Sequence, residues 1–325
     1  MKSAMDAARA QGFNGGMNPS RWVTVHIDLA RVRQNVQEIA AQVGVPILAV
    51  VKSDAYGVGI QRVTDAISDL VEGWCVFSLT EAAEGSLWHR TGKPTLVLGP
   101  PMRVSCEDYF EQHVRPAVCT AEQAQELREA GPVLCVDTGM QRFSCPPQDL
   151  EAVRHSGACA EAFTHAVNME QVRRFVQLCG EWGMRLHASG SSLLHEPQAR
   201  LDAVRPGLAM YRQAVRVTTR LVEVHGTSGP AGYTGFAAQH HGIILCGYSN
   251  GLKNGICLVN GERRKIIEVG MQSTYVEIGQ EDAVGDEVVL LGDDLDLSSI
   301  AEAWRVTDHA VLVALSAAGE KQYVG

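Results

Sequence analysis

At 325 residues, with 46% hydrophobic and 20% charged side chains, the chain is long enough for two domains or for one barrel with an appendage. Its 37 acidic and 28 basic residues give a formal net charge of −9 without a basic cluster, which excludes a nucleic-acid backbone as the expected partner. No apolar run approaches the ~20 residues of a membrane span. The nine cysteines stand singly, without C-x-x-C or metal-type spacing, and read as reduced thiols of a cytoplasmic protein that holds no metal.

Residues 1–22 lack periodicity and the apolar core of a signal peptide, and are expected to be a flexible tail. Val23 to Leu29 alternates like a strand, and Val32, Val36, Ile39 and Ala40 give Ala30 to Val43 helical spacing. Strand-length apolar runs then recur at Ile47–Val51, Trp74–Phe77, Thr95–Leu98, Arg115–Val118, Val133–Val136, Ala160–Phe163, Arg185–Ala188 and Ala203–Leu208. Most are separated by amphipathic stretches, of which Val172, Phe175, Val176 and Cys179 give the clearest stripe. Continuous apolar runs alternating with helices imply parallel strands covered on both faces. Eight units over residues 23–215 match an α/β fold of the (β/α)8 TIM-type barrel kind. A doubly wound open sheet is the rival, but no G-x-G-x-x-G follows any strand. Over residues 216–325 β-branched runs separated by Gly and Asn take over, with Asn260-Gly261 as a hairpin turn. That stretch is expected to form a smaller, mainly antiparallel β domain.

Barrel enzymes carry their reactive groups at the C-terminal ends of strands. Lys52 follows the five apolar residues Ile47 to Val51. Such a lysine is either leaving the core for water or held partly desolvated, and in the second case its amine becomes a nucleophile. The segment Val50-Val51-Lys52-Ser53-Asp54-Ala55-Tyr56-Gly57-Val58-Gly59 closely resembles the lysine signature of the alanine racemases, a family that uses pyridoxal 5'-phosphate (PLP). Further motifs follow in order. Asp137-Thr138-Gly139-Met140-Gln141-Arg142 is similar to the family's D-T-G-M-x-R, Thr164-His165 to its T-H pair, and Val204 to Tyr211 to its R-x-G-I-A-M-Y run. Gly232-Tyr233-Thr234-Gly235 resembles its G-Y-G-G/T segment, and Gly247-Tyr248-Ser249-Asn250-Gly251 its G-Y-A-D-G. The likeness extends from Val23 to about Leu315.

The resemblance implies that Lys52 holds PLP covalently and that Lys52 and Tyr233 are the two catalytic bases. Racemisation removes a proton on one face and returns one on the other, so it requires two. It implies further that Tyr56, Ser191, Gly207, Leu208 and His309 lie at the phosphate, that Arg205 faces the pyridine nitrogen, and that His165 stands beside the cofactor. Arg142 would contact both cofactor and substrate, and Tyr248, Met271 and Gln272 would line the substrate's approach. The expected assembly is a homodimer whose active sites are shared between subunits, acting on a small amino acid.

Four positions depart from the pattern. Cys135 stands where many members carry a lysine, often carboxylated, that braces the arginine of D-T-G-M-x-R. Gly190 replaces an asparagine, Gln272 an aspartate and His309 a tyrosine of the inner pocket. These changes leave open an altered substrate, or a catalytically altered PLP-binding homologue that acts as a sensor. A PLP decarboxylase of basic amino acids is a further alternative, disfavoured because such enzymes place an acidic residue where Arg205 stands.

Overall fold

The structure is a computed structural model and describes residues 22–102, 105–226 and 229–325; the expected flexible tail at 1–22 lies almost wholly outside them. Two compact units divide the chain. One is Leu29–Arg212, and the other joins Gln213–Gly325 to the strand β1 (Thr24–Asp28).

In the first unit, helix α1 (Leu29–Val43) buries Val32, Val36, Ile39 and Val43 along one stripe. Seven parallel strands follow, each paired with the next: β2 (Leu48–Val50), β3 (Gly73–Val76), β4 (Thr95–Val97), β5 (Val114–Val118), β6 (Val133–Cys135), β7 (Glu161–Ala166) and β8 (Arg185–Ser189). Almost every residue in these strands is buried, as expected for strands covered on both faces. The expected eighth strand is reduced to a bridge between Val204 and Ile47, yet its backbone joins both edges of the sheet. Arg205 N donates to Ser189 O at 2.8 Å, Leu48 N to Val204 O at 2.9 Å and Val50 N to Pro206 O at 2.8 Å. The ring therefore closes, TIM-fashion. Pro206 has no N–H to extend the ladder, and the chain leaves it for a 3-10 turn at Leu208–Tyr211.

The second unit holds six antiparallel strands in a closed cycle: β9 (Val215–Gly226), β10 (His240–Ile244), β11 (Gly255–Val259), β12 (Glu262–Val269), β13 (Thr274–Glu277) and β14 (Glu287–Leu291). The twelve-residue β9 closes the cycle by pairing with β14 through one half and with β10 through the other. Asn260 and Gly261, with φ of 50° and 83°, form the expected two-residue hairpin between β11 and β12. One element departs from the sequence-based boundaries. Sequence order alone groups the strand from Val23 to Leu29 with the barrel, whereas β1 pairs antiparallel with β9 and parallel with β15 (Glu320–Val324). Alternation marks a half-buried strand without naming its partner. Two helices, α9 (Leu297–Trp304) and α10 (Asp308–Ser316), complete the unit. Between α1 and α9 along the chain lie α2 (Ile60–Ile67), α3 (Leu79–Glu84), α4 (Leu87–Thr91), α5 (Cys106–Glu111), α6 (Ala121–Glu126), α7 (Leu150–Gly157) and α8 (Met169–Cys179), all in the barrel unit. All nine cysteines are free thiols. Among the described residues, no helix is long and apolar enough to cross a membrane.

Candidate active site

Lys52 opens a single left-handed turn, Lys52–Tyr56, directly beyond β2. Ser53, Asp54, Ala55 and Tyr56 have φ of 55°, 52°, 53° and 60°. L-residues disfavour that region by roughly 1–2 kcal/mol each, so the surroundings must hold the turn. Glu81 accepts from the Ser53 amide at 3.0 Å and from the Phe77 amide at 2.7 Å, tying the turn to the end of β3. Asp54 accepts from the Ile60 amide at 2.8 Å. Tyr56 is buried, its ring 5.3 Å from that of Tyr211. Lys52 itself is half-buried. Burial, and then the Arg142 guanidinium, lower its proton affinity, with Glu81 and Cys75 opposing.

Beside this turn the chain forms a cup of donors. A Cβ built on Gly207 would lie 2.2 Å from the Tyr56 hydroxyl oxygen, so only glycine lets backbone and phenol meet there. Burial pushes Tyr56 up to about 12, which keeps its proton in place. Ser191 Oγ accepts from Gly207 N at 3.0 Å and Ala209 N at 3.1 Å, leaving the hydroxyl its own proton to donate. Leu208 lies between those two amides. Two hydroxyl donors beside close-approaching backbone suit an anion such as a phosphate group. Gly190 is uncrowded; a Cβ there would meet nothing closer than Arg205 O at 3.7 Å.

Arg205 is 4% exposed. Its guanidinium donates to Thr164 O at 2.5 Å, to His187 O at 2.8 Å and to His187 Nδ1, and lies over the Phe163 ring. Arginine only donates, so His187 Nδ1 must accept and the ring proton sits on Nε2, which donates to Glu161 at 2.8 Å. Burial and then Arg205 push His187 down to about 4, with Glu161 opposing, and the imidazole is neutral. Burial alone would raise Glu161, but its bonds to His187 and Arg115 outweigh that and hold it at about 2. An anion thus faces a guanidinium through a neutral ring. Glu81, Glu161 and His187 belong to no catalytic motif; the signal that could have found Glu161 is a carboxylate inside an apolar strand, Ala160 to Phe163.

Beyond β6, Asp137 Oδ1 accepts from the amides of Gly139 and Gln141 at 2.8 and 3.0 Å, shaping the loop that carries Arg142. Arg142 is exposed. Cys135 is buried and its thiol is pushed up to about 12 by burial, so it supplies no anion to brace that arginine. His165, next to the last residue of β7, is exposed at a register shift between Phe163 and Ala166, and is no core histidine. Lys52, Arg142, His165, Ser191 and Arg205 with Gly207 therefore all follow or end parallel strands of one ring, on its C-terminal rim.

The remaining site residues lie in the second unit. Tyr233 is 87% exposed, with its ring 3.7 Å from where a Cβ on Gly270 would stand. Tyr248 N donates to Gly270 O at 2.9 Å, and Ser249 N and Oγ to Met271 O at 3.0 and 2.7 Å. Tyr233, Tyr248, Met271 and Gln272 thus converge around one turn. His309 is exposed in the first turn of α10.

The chain thus consists of a parallel barrel with Lys52, Arg142, His165, Ser191 and Arg205 on its C-terminal rim, followed by an antiparallel β unit. The family model for the alanine racemase N-terminal domain matches residues 27–214, and that for the C-terminal domain matches 215–323. The chain belongs to the alanine racemase family. The biosynthetic alanine racemase of Escherichia coli K12 is 28% identical, over 93% of this chain and 99% of that protein. The alanine racemase of Neisseria meningitidis is also 28% identical, over 87% of this chain and 94% of its own length. The crystal structure of the biosynthetic alanine racemase from Pseudomonas aeruginosa superposes with a TM-score of 0.85 at 24% identity, covering 94% of this chain and 100% of that one, which speaks for the fold alone.

Proposed function

We propose that the chain is a PLP-dependent amino-acid racemase, alanine being the first substrate to test and a somewhat larger or more polar amino acid the second. Lys52 and Tyr233 are its two bases, in a cytoplasmic homodimer whose sites combine residues of both subunits. The observation that carries this reading is the half-buried Lys52 amine, lowered in proton affinity, on the same rim as the donor cup of Tyr56, Ser191 and Gly207.

Tyr56, Ser191, Gly207, Leu208 and His309 would hold the phosphate, and Lys52 the aldehyde carbon. When bound, PLP would supply the electron sink that makes the substrate's α-proton acidic. Arg205 would face the ring nitrogen; a guanidinium that cannot release a proton keeps that nitrogen unprotonated and the sink weak, which favours rapid return of the proton. Arg142 and His165 would orient cofactor and substrate, while Tyr248, Met271 and Gln272 line the approach. Lys52 takes or returns the α-proton on one face and Tyr233 on the other. An ordinary phenol, with pKa ~10, is a poor base near neutrality, so His165 and Arg205 would assist it.

Purified protein given PLP should develop the visible absorbance of the bound cofactor, and Lys52→Ala should abolish it. Each of a panel of amino acids is then incubated in deuterated water. Exchange of the α-proton with racemisation supports the reading, and a colourless protein that ignores PLP ends it. The neutral Cys135 thiol in place of a brace for Arg142 favours a second reading, a PLP-binding homologue with altered catalysis. That protein would take up colour and exchange no α-proton.

A further inference from the structure

Glu268 lies near the end of β12, where Ile266 and Glu268 are both buried while Ile267 between them is not. By that alternation a carboxylate occupies a position that calls for an apolar side chain. It is 8% exposed, and its hydrogen-bond donors among the described residues come from one place. Tyr233 N reaches Oε1 at 2.7 Å, Thr234 N reaches Oε2 at 2.8 Å, and the Thr234 hydroxyl also donates to Oε2. Those bonds, the hydroxyl's first, lower the carboxyl's pKa, so it is an acceptor at both oxygens.

The turn it grips is built to be gripped. Gly232 has φ of 68°, and a Cβ there would meet Glu268 Oε1 and the Phe236 ring, each at 2.7 Å. Ala231 N donates to Phe236 O at 2.9 Å, closing the turn, and the Phe236 ring packs against His241 and Tyr275 at 5.4 and 5.2 Å. Two successive amides bonded to one carboxylate fix the backbone of Tyr233 and hence the direction of its Cα–Cβ bond. The phenol, 87% exposed, is held out on a rigid support.

We infer that Glu268 is a positioning residue for Tyr233, its carboxylate setting the turn from which the phenol reaches the α-carbon. The inference rests on the reading of Tyr233 as a base. Glu268 exchanges no proton with substrate. Its effect falls on one of the two proton transfers, that between Cα and the phenol oxygen, and leaves the transfer between Cα and the Lys52 amine intact.

The test is Glu268→Gln in the PLP-loaded full chain, since glutamine keeps the shape and loses one acceptor. Misplacing a reacting group by about 1 Å costs on the order of 10²-fold, so kcat for racemisation should fall at least tenfold while KM stays within about twofold. Starting from the enantiomer whose proton Lys52 removes, α-proton wash-out in deuterated water should persist and outrun racemisation. Amide hydrogen exchange at Tyr233 and Thr234, read by NMR, should quicken. Thr234→Val removes the hydroxyl donor alone and should give a smaller loss of the same asymmetry; this variant decides the matter if Glu268→Gln does not fold. Wild-type kcat with unchanged amide exchange overturns the proposal. So does a loss in which wash-out falls in step with racemisation for both enantiomers, because that is general damage. If the wild type exchanges no α-proton at all, the base reading of Tyr233 fails and this proposal fails with it, while the amide exchange still reports whether the carboxylate clamps the turn.

Discussion

Arg205 is a buried cation whose acceptors, Thr164 O, His187 O and His187 Nδ1, diverge around a planar group. A lysine ammonium has one nitrogen and cannot reach all of them. Arg205→Lys should therefore cost about 3 kcal/mol in urea unfolding, the scale of breaking a buried charge network; a loss below about 1 kcal/mol would mean the guanidinium is not held as described. His187 and Glu161 make the same network sensitive to acid. His187 moves from 6.5 in the unfolded chain to about 4 in the fold, so between those values only the unfolded chain takes up the proton. Stability is therefore lost as pH falls through that window, by on the order of 3 kcal/mol. Glu161, depressed from 4.5 to about 2, stabilises the fold above 4.5 and loses that contribution as pH falls toward 2. His187→Gln should remove the upper window, as read from urea midpoints at pH 7, 5 and 4, and leave a further loss between pH 4 and 3 from Glu161. Lys52, Arg142, Arg205 and Tyr233 stand out in the sequence because each sits inside a dense local motif. The Glu161–His187 contact spans 26 residues and the Thr234–Glu268 contact 34, and no local pattern marks either.

The turn at Lys52–Tyr56 has a testable handedness at the level of the element. Ser53 is exposed, with φ 55° and ψ 52°, where an L-residue is strained by roughly 1–2 kcal/mol. Glycine relieves that strain and gives back about 0.5–1 kcal/mol through the entropy of the unfolded chain. Ser53→Gly should therefore leave stability unchanged or raise it by up to about 1.5 kcal/mol, whereas in a right-handed helix the same change costs about 1 kcal/mol. The sign of the shift in the thermal midpoint decides. Lys52 to Tyr56 contains no glycine to announce positive φ, so the turn could not be read from its residues. By contrast Asn260-Gly261 states its turn type outright, and β2, β3 and β6 declare themselves as unbroken apolar runs. Helices α9 and α10 do not. In α10 Val311, Leu312 and Leu315 are buried while Val313 is exposed, so apolar residues crowd the segment without marking one face.

For the molecule as a whole, Lys52 and Tyr233 belong to different compact units of the chain, each exposing its part of the proposed site. The sequence changes texture near residue 215, where periodic apolar runs give way to β-branched runs, and the two compact units part between Arg212 and Gln213. The proposed pairing of two copies of the chain would leave no such trace, since an interface is a property of surfaces and not of periodicity. Complementation resolves it. Lys52→Ala and Tyr233→Phe chains should each be inactive alone as racemases. If every site takes its lysine from one subunit and its phenol from the other, a mixed dimer holds one site with both defects and one with neither. Unfolding the two variants together and refolding them with PLP gives mixed dimers as half the population, so activity should return to about one quarter of the wild-type level. If lysine and phenol come from the same chain, every site in every dimer carries one defect and the mixture stays dead. Recovery that rises with the mixed fraction, and vanishes when a single chain carries both substitutions, would establish that the phenol crosses between subunits.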